Sequence, residues 1–362
     1  MRRFLLICVL LVCPFAGQAQ GLPVDSRSGD VEVKEAMALP APLRQALMVS
    51  AYDRSAPQRE QIQKLIDFML GEEGLALRYQ EQPTYGLAES YARRRVNCLS
   101  FTLMFVALAR ASGMRARVQA SDVVLEAWTA SDLVFRSAHV NAVVEGDFGS
   151  YVVDVGWRNV VAERSPRVIN DRQAVALLHN NLAMEHLAHG DISGAHSEID
   201  SALALDSRNA ILWSNAGIVE QRGGRQDLAE RMYLRALSLS SRNITALGNL
   251  VLLYEANGSQ EKALQYKARL QRAQERDPFS QFIRAQALMK NGKEEDAIPL
   301  LRTAIRMLPE EPSFYRTLAD AYHRQGQQEA ADSTFDRALV LEAKMQSRRG
   351  IRNADAGHTL SP

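Results

Sequence analysis

Cys98, His139 and Asp154 are residue types that together perform nucleophilic acyl chemistry. A cysteine thiolate attacks an amide carbonyl, a histidine serves as general base and then as acid, and an aspartate fixes the imidazole tautomer. Cys98 follows Asn97, a favourable N-cap residue, so the sequence predicts that the thiol begins a helix that Gly113 ends. The unpaired N–H groups at a helix N-terminus carry about half a positive charge, which stabilises a thiolate. The alternative for the same residue is a buried structural cysteine.

The histidine and the aspartate are predicted to lie on the two strands of one hairpin. The β-branched runs HVNAVVE, which begins at His139, and YVVDVGW, which contains Asp154, are separated by the turn sequence GDFGS. With residues 146 and 147 as the loop, Glu145 pairs with Phe148. His139 then lies directly across from Asp154 on the same face of the sheet. A four-residue loop would keep the two side chains on the same face, one step diagonal to each other, and a loop with an odd number of residues would place them on opposite faces.

Two apolar helices are predicted to support this site. The segment after Cys98 is apolar on nearly every side, from Phe101 to Leu108, so we expect a central, buried helix. An earlier helix is predicted from Pro57 to Leu70, with its apolar residues at the spacing of one core-facing stripe.

The order Cys98, His139, Asp154, with the cysteine at the head of the segment NCLSFTLMFVALARASGMRARV, resembles the transglutaminase-like superfamily, which has a papain-related α+β fold. The resemblance covers roughly residues 45–165. It implies that Cys98 is the nucleophile, that His139 is the general base and that Asp154 orients the imidazole. Members of this superfamily include cross-linking transglutaminases, peptidases, amidases and inactive forms.

The second half of the chain repeats every 34 residues. Glycines recur at Gly190, Gly224, Gly258, Gly292 and Gly326, and alanines recur at Ala195, Ala229, Ala263, Ala297 and Ala331. Such a glycine is typical of the end of the first helix in a helix pair, where a left-handed backbone conformation is needed. Stacking of five pairs is expected to bury a continuous core. The pattern resembles the tetratricopeptide repeat over about residues 176–345, and Lys267 and Leu270 predict looser packing in the third repeat.

Arrays of this kind are binding scaffolds with a concave groove. Asn181, Asn215 and Asn249 lie 34 residues apart at one position of the first helix, where the resemblance implies amides that contact a peptide backbone. The alternative is a column of solvated polar residues. Four histidines crowd the first repeat: His179, His186, His189 and His196. No carboxylate pattern accompanies them, so we predict no metal site, and no organic cofactor is expected.

The first residues, MRRFLLICVLLVCPFAGQAQ, have the features of a secretory signal peptide, with two arginines, an apolar run, and small residues at Gly17 and Ala19. Cleavage after Ala19 predicts a periplasmic or secreted protein, and lipid anchoring at Cys13 is the alternative. No later stretch of the sequence is long and apolar enough for a transmembrane helix. Removal of the signal leaves Cys98 as the single cysteine, which excludes an intramolecular disulfide. The formal net charge of +1 gives no indication of a nucleic-acid partner.

These patterns predict an α+β transglutaminase-like or papain-like domain followed by an all-α tetratricopeptide-repeat solenoid. The expected boundaries are a signal peptide at 1–19, a linker at 20–44, the cysteine domain at 45–170, five repeats at 171–345 and a disordered tail at 346–362. The expected function is that of an exported acyl-transfer enzyme: a peptidase, an amidase or an amide-to-amine transferase acting through a Cys98 thioester. The repeats would recruit a protein partner or substrate. The alternative is a non-catalytic interaction scaffold with a degenerate cysteine domain.

Overall fold

The computed structural model describes residues 26–50, 55–121, 128–130, 133–135, 139–146, 149–155 and 167–348. The N-terminal helices are α1 (Ser26–Ala36), α2 (Ala41–Val49), α3 (Gln58–Leu70), α4 (Leu87–Arg93) and α5 (Cys98–Ala111). The strands are β1 (Arg78–Tyr79), β2 (Arg95–Val96), β3 (Ala116–Ser121), β4 (Trp128–Ala130), β5 (Leu133–Phe135), β6 (His139–Gly146), β7 (Gly149–Val153) and β8 (Arg167–Ile169). The C-terminal helices are α6 (Asp171–Ala188), α7 (Ile192–Leu205), α8 (Ala210–Arg222), α9 (Gln226–Leu239), α10 (Ile244–Ala256), α11 (Gln260–Glu275), α12 (Pro278–Lys290), α13 (Glu294–Met307), α14 (Pro312–Arg324) and α15 (Gln328–Arg348). We call the described residues up to 169 the N-terminal domain, and those from 171 onward the repeat array.

Helix α5 lies at the centre of the N-terminal domain. Its residues from Leu99 to Ala109 are all buried, as the apolar sequence predicts. The helix packs on a four-stranded sheet with the strand order β7-β6-β3-β8. The side chains of β6 that enter this core are Val140, Ala142 and Val144. Helices α2 and α3 pack on the same core, and α3 confirms the helix predicted after Pro57.

The pairing of β6 with β7 differs from the predicted register by two residues. Gly146 pairs with Gly149, and Glu145 pairs with Ser150 rather than with Phe148. Gly149 begins β7 with a φ of +133°, a conformation that is open to glycine, so the ladder extends through both glycines. Residues 147 and 148, which separate the two strands in the sequence, lie outside the described residues.

This register changes the partner of the aspartate. Ala142 pairs with Val153. Continuation of the same register places Asp154 across from Asn141, so the predicted direct pair with His139 is wrong. Because the register is shifted by an even number of residues, positions 139 and 154 still face the same side of the sheet. They are diagonal neighbours rather than a directly opposed pair.

The linker predicted at 20–44 is wrong for its described part, because that part contains α1 and the start of α2. Helix α1 docks on the first helix of the repeat array. Val33 packs with the buried Val175, and Arg172 forms an ion pair with Asp30 at 2.6 Å. Contacts distant in sequence therefore stabilise this segment, and its local pattern gives little sign of them.

The repeat array consists of stacked helix pairs, from α6–α7 to α14–α15. The recurring glycines follow the first helix of each pair with φ between 68° and 78°, which confirms the predicted left-handed conformation. The recurring alanines of the second helices are buried. Small residues in the first helices have a steric cause as well: a Cβ on Gly217 would lie 2.4 Å from Cε1 of Tyr233.

The hydrophobic core of the array is divided between its third and fourth pairs, whereas the sequence predicted a continuous core. One group of buried residues ends at Ala273 in α11, and another begins at Phe279 in α12. Helix α11 is poorly covered, since Leu264 is 65% exposed and Lys267 is exposed. The exposed side chains of α11, the second helix of the third repeat, agree with the looser packing predicted for that repeat.

The two ends of the chain are described only in part. Helix α15 continues to Arg348, so the tail predicted from residue 346 begins later than expected. Residues 349–362 and the signal peptide predicted at 1–19 lie outside the described residues. Of the helices in the described ranges, none combines the length and the apolar character needed to cross a bilayer.

Candidate functional site

Cys98 is the first residue of α5, as predicted. Asn97 caps the helix, since its Oδ1 accepts a hydrogen bond from the Ser100 N–H at 2.9 Å. The thiol is free and half-buried. Its place in the first turn puts it among N–H groups that no carbonyl of the same helix satisfies, and this favours negative charge at that position.

A chain of hydrogen bonds connects the start of α5 with the repeat array. Asn97 Nδ2 donates to Thr84 Oγ1 at 2.8 Å, and the Thr84 N–H donates to the Glu185 carboxylate on α6 at 2.5 Å. Thr84 and Asn97 are 3% and 4% exposed. Ser100 Oγ donates to the Tyr85 carbonyl at 2.7 Å. The segment before α4 is therefore held between α5 and α6.

Glu185 makes a buried contact between the two parts of the chain that the sequence did not reveal. Burial raises the pKa of its carboxyl above the ordinary glutamate value. The hydrogen bond from Thr84 and the nearby His186 and His189 act in the opposite direction, but burial has the larger effect. A single glutamate on a helix has no distinctive spacing in the sequence. Its hydrogen bond with Thr84 is therefore seen only when α6 is placed against the N-terminal domain.

Strand β6 begins at His139, close to the N-terminal end of α5. Thr102, one turn after Cys98, has its Oγ1 3.4 Å from the Val140 carbonyl oxygen. Val140 directly follows His139, so the first residues of α5 and of β6 lie at the same end of the sheet. The side chain of His139 lies outside the described side chains, and its contact with the thiol stays a prediction.

Asp154 follows the end of β7 and is half-buried. Asn141, at a β6 position on the same face of the sheet as His139, is 7% exposed. Its Oδ1 has no hydrogen-bond partner within the described part of the chain. The β6 residues that pack against α5, namely Val140, Ala142 and Val144, lie on the opposite face of the sheet from positions 139 and 141. Alternation alone therefore does not bring His139 to Cys98, and the predicted triad depends on how the strand turns at its first residue.

The amides predicted to line a peptide groove are more buried than an open groove requires. Asn215 and Asn249 are 1% and 0% exposed, and Asn181 is half-buried. Asn215 Nδ2 donates to Asn180 Oδ1 at 2.7 Å, so this amide joins the first helices of two consecutive repeats. Asn215 Oδ1 is buried and accepts no hydrogen bond from the described residues. Peptide binding by the three asparagines stays a prediction.

The N-terminal domain covers part of the first helices of the array. Leu177 and Leu178 of α6 belong to the same buried core as α5. Strand β5 lies against α10, whose residues from Ile244 to Val251 are all buried. A partner that approaches the first three repeats from this side would therefore meet the N-terminal domain.

Three histidines of the first repeat are paired with carboxylates, and one of them is His196, whose Nδ1 lies 3.7 Å from Glu220. His179 lies 3.0 Å from Glu32 and 2.7 Å from Glu198, and so links α1 to α6 and α7. His186 Nδ1 lies 2.8 Å from Asp191. Within the described ranges, no cluster of His, Cys, Asp or Glu is arranged to hold a metal ion.

The geometry of the array agrees with a known family. The family model of the tetratricopeptide repeat matches residues 180–244 and 284–347. The matched segments are tetratricopeptide repeats. Both matched ranges lie within the repeat array, so the match describes the helix pairs and not the N-terminal domain.

Solved structures of MamA are similar to part of the chain. A crystal structure of MamA is 18% identical, covers 46% of this chain and 97% of that chain, and has a TM-score of 0.28. A structure of MamA from position 41 to its end, from Desulfovibrio magneticus RS-1, is 18% identical, covers 48% and 97%, and has a TM-score of 0.27. At such TM-scores the likeness carries no information on function. The sequence has no match among curated proteins.

Proposed function

We propose that the chain is a protein-interaction scaffold that recruits a protein partner through its tetratricopeptide repeats. The matched repeats at 180–244 and 284–347 are the observation that supports this function. Stacked helix pairs present an extended surface whose residues contact a partner over many turns, and binding is the usual use of that surface.

The proposed peptide-binding residues are Asn181, Asn215 and Asn249. Two observations support them: Asn181 is half-buried rather than fully buried, and the Oδ1 of Asn215 accepts no hydrogen bond from the described residues. Asn249 is 0% exposed, so contact with a partner at this residue requires that the groups covering it move.

Affinity capture with the full-length protein tests the scaffold. Wild type, Cys98→Ala and Asn181→Ala would be compared, with Asn291→Ala as a control at the exposed end of α12. A scaffold captures the same partner with wild type and with Cys98→Ala, and less of it with Asn181→Ala. The proposal fails if wild type enriches no protein above an unrelated exported protein, or if removal of the thiol abolishes capture.

The second candidate function is thiol-dependent acyl transfer by a transglutaminase-like N-terminal domain. The position of Cys98 at the capped start of α5, beside the first residues of β6, supports this candidate. The sulfur would attack an amide carbonyl, and His139 would take the thiol proton and deliver it to the leaving amine. The thioester would pass its acyl group to water or to an amine, while Asp154 orients the imidazole. This chemistry needs no metal or organic cofactor.

Alkylation of Cys98 by iodoacetamide separates the two candidates. An activated thiolate reacts rapidly at about pH 6–7, where an ordinary thiol with a pKa of about 8.5 is mostly protonated. His139→Ala would slow that reaction, whereas His323→Ala, on the distant helix α14, would not. A rate that follows ordinary thiol titration and ignores His139→Ala would leave the scaffold function alone.

The proposed location is the periplasm or the extracellular medium, because residues 1–19 read as a signal peptide. The mass of the mature protein, purified after cell fractionation, tests this. A chain that begins at Gln20 supports export by cleavage after Ala19, and a diacylglycerol-modified N-terminus at Cys13 supports the anchored alternative. An uncleaved chain in the cytoplasm would contradict both.

A further inference from the structure

A cavity with a volume of about 420 Å³ lies among α13, α14 and α15. Three arginines contribute to its wall, namely Arg302 and Arg306 from α13 and Arg337 from α15. Ile305 and Leu318 supply apolar surface to the same cavity. The cavity therefore combines apolar side chains with three guanidinium groups in its lining.

Among the described residues, no carboxylate neutralises the positive charge of these three arginines. None of the residues that line the cavity is acidic, and none of the three arginines forms an ion pair with a carboxylate of the described residues. The arginines of the adjoining helix α14 differ: Arg316 pairs with Glu342 at 2.5 Å, and Arg324 pairs with Asp320 at 3.0 Å. Guanidinium groups that face one cavity repel each other, so an anionic ligand would stabilise them.

Two of these arginines are held in place by neutral partners. Arg302 donates from Nη2 and Nε to the Tyr322 hydroxyl, at 2.6 Å and 3.0 Å. Arg306 Nη2 donates to Thr303 Oγ1 at 2.7 Å. These bonds restrict the side chains while other guanidinium donors remain for a ligand, which reduces the entropy lost on binding.

We infer that this cavity binds an acidic segment of a partner protein, in which one apolar side chain enters between Ile305 and Leu318 and flanking carboxylates contact the arginines. The inference rests on the proposed scaffold function and names the chemistry of the partner. A small anion such as phosphate would contact the arginines alone, whereas a protein segment can also contact the apolar lining at Ile305 and Leu318. The site lies in the fourth and fifth helix pairs, and is therefore separate from the asparagines, which lie in the first three pairs.

Fluorescence anisotropy with the full-length protein and a short labelled peptide tests the inference. The peptide carries one leucine flanked by glutamates, and a matched peptide carries glutamines instead. We expect saturable binding of the acidic peptide that weakens as salt is added, because the contacts are charged and exposed. The double variant Arg306→Gln, Arg337→Gln should bind about tenfold more weakly. Arg284→Gln, which removes an exposed arginine from α12, should bind like wild type.

Several results would overturn the inference. These are the absence of saturable binding, equal binding of the glutamine peptide, and equal binding by the double variant with an unchanged melting temperature. Displacement of the peptide by millimolar inorganic phosphate, with phosphate binding as tightly to Leu318→Ala as to wild type, would indicate a small-anion site instead. If the peptide does not bind but the full-length protein still captures its partner, the inference fails and the scaffold function stands. If capture itself fails, the scaffold function fails.

Discussion

Replacement of Glu185 tests the contact between the N-terminal domain and the repeat array. Glu185→Ala removes the acceptor of the Thr84 N–H, and because Thr84 is 3% exposed the donor is left buried without a partner. Such a donor lowers stability by about 1–3 kcal/mol. Glu185→Gln keeps a carbonyl oxygen as acceptor. Both variants remove the buried charge, so the difference between them isolates the hydrogen bond.

The comparison of wild type with Glu185→Gln tests the charge. Burial raises the pKa of Glu185, so the folded state binds the proton more readily than the unfolded state does. The contribution of the carboxyl to stability is thus fully present below the unfolded pKa of about 4.3, and it is lost as pH rises through the raised folded value. We expect wild type to be less stable than Glu185→Gln at pH 7, and the difference to shrink toward about pH 4.

Urea unfolding of the full-length variants across this pH range measures both effects. At pH 7 Glu185→Ala should be less stable than Glu185→Gln by about 1–3 kcal/mol, which corresponds to about 2–4 °C in melting temperature per kcal/mol. Glu261→Gln, at an exposed position of α11, serves as the control. Equal stability of the alanine and glutamine variants would refute the hydrogen-bond argument. A difference between wild type and Glu185→Gln that does not change with pH would refute the charge argument.

Three further substitutions test local features of the fold. Asn97→Ala removes the cap of α5 and its bond to Thr84, and should lower the free energy of unfolding by about 1–2 kcal/mol in urea titrations, while Asn97→Asp should retain most of the capping. Gly217→Ala places a Cβ 2.4 Å from the Tyr233 ring, and the overpacking should destabilise the array by about 1–3 kcal/mol in thermal melts monitored by circular dichroism. Gly224→Ala meets open space but has a φ of +77°, so backbone strain alone should lower stability by about 1 kcal/mol, and Gly224→Asn should be milder. Wild-type stability of either glycine variant would contradict the corresponding cause.

Features set by local chemistry were predictable from the sequence. The glycines of the array need a left-handed conformation, and Gly224 and its equivalents have it. The helix from Cys98 was predicted because a cap residue precedes an apolar segment. The register of β6 and β7 was wrong because Gly146 and Gly149 are both suited to the turn, and the sequence does not show which of them continues the ladder.

Features set by distant contacts were not predictable in this way. Helix α1 lies in a segment without clear periodicity, and the ion pair of Asp30 with Arg172 joins positions far apart in the chain. Glu185 is likewise an ordinary helix residue until Thr84 is placed beside it. The helix start at Cys98 was therefore predicted because adjacent residues determine it, whereas contacts that require two distant elements to meet were missed.

The boundary between the buried groups at Ala273 and Phe279 separates Cys98 from the cavity lined by Arg302, Arg306 and Arg337. Helix α6 shares its buried core with α5, whereas α12 to α15 form their own buried group. All residues that line the cavity with Arg302, Arg306 and Arg337 lie on α13, α14 and α15. Occupation of the cavity by the acidic peptide should therefore leave the rate of Cys98 alkylation unchanged. A changed rate would mean that the poorly covered helix α11 transmits binding as a rigid movement, because no buried side-chain cluster of the described residues spans the boundary at Ala273 and Phe279.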